Sequence, residues 1–113
     1  STKEIRQVNL STARNTAISG LESARDQCLY HAARSRESVA LGNETADVMH
    51  MNAADGYFGD MMVWLTRLSG MGLAKFAKER VKSARDTFDA IVADIVRLRT
   101  ERRLAGGEEA VNV

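Results

Sequence analysis

The chain has 113 residues, one Cys, no Pro, eight Gly and a formal net charge of +1, with 44% hydrophobic and 27% charged residues. That length suits one domain with one core. The apolar share excludes intrinsic disorder, no apolar run approaches the roughly 18 residues of a membrane span, and a single Cys excludes an internal disulfide framework or a Cys-based zinc site.

The near-neutral charge offers no bulk attraction for nucleic acid or an anionic membrane. No N-terminal segment has the charged and apolar regions of a signal peptide, so the expected location is cytoplasmic. Average usage of about 5% Pro would give roughly five or six in a chain this long. Pro breaks helix interiors, so its absence points to long uninterrupted helices. No alternating run of β-branched residues suggests a strand.

The first helix is predicted from Thr2 to Leu41. Leu10, Ala13, Ala17, Leu21, Ala24, Cys28 and Ala32 recur at alternating three- and four-residue spacing and so share one face. Ala fills four of these seven positions, a seam small enough for close helix approach. Gly20 lies inside this segment, costs about 1 kcal/mol relative to Ala and marks a candidate break. Gly42 then suits the position just past a helix end, and Asn43 suits the N-cap of the next helix.

The second helix is predicted from Glu44 to Leu68, with Met51, Ala54, Phe58, Met61, Leu65 and Leu68 on its seam. Ser69-Gly70-Met71-Gly72 breaks the chain again. The third is predicted from Leu73 to Leu104, with a seam running from Leu73 through Phe88, Ile91 and Ile95 to Leu98. Gly106-Gly107 is its expected stop. At 1.5 Å per residue these helices span roughly 60, 37 and 48 Å, so part of the first is left without a neighbour.

The expected fold is therefore all-α: an antiparallel bundle of three long helices, or four if the first breaks near Gly20, completed by dimerisation. Residues 1–105 form the domain and 106–113 a flexible tail. Charge agrees with antiparallel neighbours. Residues 43–71 carry one basic and four acidic side chains, and residues 72–104 carry nine basic and five acidic.

Several residues carry chemistry in principle. Asp47 and His50, three apart on one helix face, together with His31 make a partial metal site. The alternative role for Asp47 is to stabilise a helix start. Cys28 on the Ala seam is expected to be a buried small hydrophobe rather than a nucleophile. Gly70-Met71-Gly72 lacks the context of a phosphate-binding loop. Lys75, Lys78, Lys82 and Arg85 line one outer face, and Arg97, Arg99, Arg102 and Arg103 continue the positive character, which suits a polyanion such as a nucleic-acid backbone. Interspersed acids argue instead for intrahelical pairs such as Lys82 with Asp86 and Arg97 with Glu101.

The apolar surplus is the most informative feature. All five Met lie between positions 49 and 71, beside Tyr57, Phe58 and Trp64, and Met-rich helices make adaptable surfaces. Ile91, Val92, Ile95 and Val96 form an arc wider than one seam. The expected interface comprises Tyr57, Met61, Met62, Trp64, Ile91, Val92, Ile95 and Val96. The expected function is a non-enzymatic assembly or adaptor protein that needs no cofactor. Its partners are a second copy of itself and another protein, with nucleic acid the alternative.

Overall fold

A computed structural model describes residues 2–112, apart from the side chains of Val8 and of residues 107–112. It has three helices: α1 (Thr2–Ala40), α2 (Glu44–Gly70) and α3 (Ala74–Asn112). No strand occurs among the described residues, and all three helices pack against one another, α1 and α2 most extensively. None is long and apolar enough to cross a membrane.

The two turns share one construction. Gly42 and Gly72 both take positive φ, at 76° and 82°, where a side chain would be strained. At the first turn Gly42 N–H donates to the Val39 carbonyl at 3.0 Å and Asn43 N–H to Ser38 at 2.8 Å; at the second, Gly72 donates to Ser69 at 3.2 Å and Leu73 to Leu68 at 2.9 Å. This paired arrangement satisfies carbonyls that a helix end would otherwise leave open. Asn43 is the N-cap of α2, its side-chain oxygen accepting from Ala46 N–H at 3.0 Å.

The seam of α1 is buried from Ala17 through Leu21, Ala24, Cys28, Ala32 and Ser35 to Val39. On α2 the buried positions are Asp47, Ala54, Met61 and Leu68, one every seven residues. Ala77, Val81, Ala84, Ile91 and Ile95 complete the core from α3. Steps of three and four bring one stripe of each helix inward over several turns.

The structure differs from the sequence expectation at two points. α1 passes through Gly20 unbroken, so no fourth helix arises. Gly20 faces the Trp64 indole, and a Cβ there would fall inside the ring's van der Waals envelope. The glycine is a notch for the indole, and the packing outweighs its helix cost. α3 also runs past Gly106-Gly107 to Asn112, since Gly lowers helix propensity without forbidding the helix.

The helices are staggered. Every described side chain from Thr2 to Thr16 is exposed, whereas Leu73 in the second turn lies beside Leu10 and Ile18. At the other end Arg102 reaches the carbonyl of Ala40, the last residue of α1, and residues 103–106 are exposed. The molecule measures 80 × 22 × 14 Å.

Gly20→Ala is expected to lower stability by about 1–2 kcal/mol, because overpacking against the indole exceeds the helix-propensity gain. Gly56 and Gly59 have open space around the site of a Cβ. Gly56→Ala is expected to raise stability by about 0.5–1 kcal/mol. Urea unfolding of the two variants gives opposite signs if Gly20 is a packing notch, and a rise in both if it is not.

Candidate functional site

Asp47 is the one buried carboxylate among the described residues. It sits in the first turn of α2 and meets groups from both other helices. Arg99 of α3 forms a fork on it, Nε donating to Oδ2 at 2.9 Å and Nη2 to Oδ1 at 2.8 Å. Ser35 of α1 donates its hydroxyl to Oδ1 at 2.5 Å, the short end of the range for a hydroxyl on a carboxylate. Burial by itself would raise the Asp47 pKa. The hydrogen bonds from Arg99 and Ser35 and the Arg99 charge outweigh it, and the carboxyl is held below the usual range. The same contact raises Arg99.

Beside this clamp a cleft of about 640 Å³ opens among Val39, Gly42, Val48, Glu44, Arg102 and Arg103. Arg102 donates to the Ala40 carbonyl at 3.3 Å.

Further along α1 and α2 the two histidines meet. Nδ1 of His31 lies 3.0 Å from Nδ1 of His50. The His31 ring stacks on Tyr57 at a centroid distance of 5.6 Å and 6° between planes, and meets Tyr30 at 5.1 Å with the planes 78° apart. Desolvation, then the neighbouring His50, lower the His31 pKa.

The structure therefore brings His31 and His50 together and gives Asp47 to a different task. No group of three His, Cys, Asp or Glu able to hold a metal forms among the described residues. Cys28 is buried, and desolvation, aided by Asp55, pushes its thiol up to about 11. It stays protonated near neutrality, which disfavours nucleophilic chemistry.

Of the expected interface residues, Met61, Ile91 and Ile95 are spent in the chain's own core. Tyr57 packs on His31. Trp64 fills the Gly20 notch and lies under the Arg67 guanidinium at 4.7 Å. Met62 and Val92 are half-buried, and Val96 is exposed. The wide arc of α3 is thus largely turned inward, because α1 and α2 approach it from two sides.

Five of the eight basic residues singled out on α3 have partners, two within the helix and three on its neighbours. Lys82 pairs with Asp86 at 3.9 Å, Arg97 with Glu101 at 3.0 Å and with Asp94 at 3.8 Å. Arg85 lies over Phe58 at 5.5 Å and Arg99 is held by Asp47. Lys75, Lys78 and Arg103 are exposed. The α1-to-α3 pair of Arg36 and Asp94, at 3.2 Å, adds a cross-link the sequence reading did not name.

Asp47→Ala is expected to cost about 2 kcal/mol, below the loss for a fully buried pair because Arg99 is half exposed and can return to water. The Asp47 contribution is present above the unfolded carboxyl pKa near 3.9 and is lost as pH falls through the lower folded value. Wild type minus Asp47→Asn stability, measured by urea unfolding from pH 7 to pH 2, is expected to shrink below about pH 4; a flat difference contradicts the clamp. Compared with protein families, curated proteins and solved structures, the chain matches none.

Proposed function

We propose that the chain is a non-enzymatic helical assembly protein, an antiparallel bundle completed by self-association, acting through helix-to-helix contacts with a second copy and with a partner protein. The observation that carries this reading is the uncovered start of the α1 seam. The stripe buried from Ala17 to Val39 continues toward the N-terminus as Ala13 and Leu10, both exposed. Leu10 is 51% exposed and nearby Ile5 is 63% exposed.

Burying one Leu or Ile side chain contributes about 1.5–3 kcal/mol, so a helix laid along this stripe gains from covering it. Ala13 keeps the stripe narrow enough for close approach. Val96 and Leu104 of α3 are exposed as well, at 55% and 61%, and supply apolar surface on another helix. The raised Cys28 thiol and the partnered Asp47 support a structural rather than a catalytic use of the reactive residue types.

Size exclusion with light scattering is expected to give a dimer or larger species at both low and high salt. Leu10→Asp is expected to return the mass of one chain while leaving the helix content unchanged. A wild-type monomer at both salt concentrations overturns the proposal.

A further inference from the structure

We infer that His31 and His50 form a two-histidine site for a divalent first-row transition cation such as zinc, nickel or copper. The two imidazoles come from different helices and face each other through the same atom, Nδ1, at 3.0 Å. Their centroids are 5.3 Å apart with the planes inclined by 31°, so the rings meet at their edges. Two nitrogens on a tetrahedral zinc, each about 2.0–2.1 Å from the metal, stand about 3.3–3.4 Å apart. The 5.3 Å centroid spacing sets the two Nδ1 atoms nearly head-on, so chelation needs an opening of a few tenths of an ångström and an in-plane swing of each ring by roughly 35° to aim both lone pairs at one metal.

One tautomer change turns the hydrogen-bonded pair into two metal ligands. In the metal-free pair one Nδ1 carries the hydrogen and the other accepts it. On binding, the donor ring moves that hydrogen to Nε2, and both rings present a neutral Nδ1 lone pair. Tyr57 lies parallel to the His31 ring and Tyr30 stands nearly perpendicular to it.

Imidazole selects these borderline cations over magnesium or calcium. Both rings are half-buried, so water reaches the remaining coordination positions. The site lies within one chain and is independent of self-association.

The test is isothermal titration of zinc chloride into the full chain after chelator treatment. One zinc per chain is expected, with the binding heat lost in His31→Asn and in His50→Asn. Nitrogen-15 NMR of the wild-type imidazoles provides a readout that needs no variant: both Nδ1 signals are expected to move on zinc addition. No saturable heat, heat retained in both variants, unmoved Nδ1 signals, or one zinc per two chains each overturns the single-chain site.

Discussion

A carboxylate has been taken out of water where the end of α1 and the start of α2 meet the C-terminal half of α3, and the rest of the packing depends on how it is satisfied. Asp47 could not be buried alone, because an unpaired ion in a low-dielectric interior costs several kcal/mol. Its partners come one from each remaining helix, Ser35 from α1 and Arg99 from α3. A slip of α3 by one residue would rotate Arg99 by about 100° and shift it by 1.5 Å, taking the fork off the carboxylate. The clamp therefore selects one register. That is its main contribution, since a paired buried ion adds little stability beyond what an apolar replacement would give.

Register needs such a device because the seams are bland. α1 offers Ala17, Ala24 and Ala32 to its neighbours, and α3 offers Ala77 and Ala84. One Ala can replace another at nearly the same height, so close packing along such a stripe discriminates poorly between registers. At the far end the discriminating element is a matter of size: the Trp64 indole fits where α1 has no side chain. Between them, the His31–His50 contact and the Tyr57 stack hold α1 against α2. Polar complementarity at one end and steric complementarity at the other fix an otherwise uniform interface.

Much of this was legible from local pattern. The turn residues Gly42, Asn43 and Gly72 announced the helix limits because a positive φ or a cap imposes itself within a few positions. The seams of α1 and α2 were readable for the same reason, as were the pairs of Lys82 with Asp86 and Arg97 with Glu101, four apart on one helix. The clamp was not. Sequence spacing places its members apart, Asp47 with a metal or a helix start and Arg99 with a polyanion, because 52 positions separate them. A signal existed: Asp47 begins the seven-residue series through Ala54, Met61 and Leu68, and Ser35 continues the α1 seam after Ala32. A charge on an apolar stripe requires a partner at the same height. Gly20 misled for a related reason, since its cost is local and its compensation comes from a different helix.

The stagger of the helices gives the molecule two unlike ends. One is the single α1 strut bearing Ile5 and Leu10; the other is the α3 segment that outruns Ala40. Contacts between like ends are related by a two-fold axis and stop at two copies. Contacts between unlike ends repeat a screw operation and continue until a ring closes, or without limit. If copies associate as proposed, the overhangs set the choice between a closed particle and a growing fibre, and the exposed side chains on either strut would decide between them.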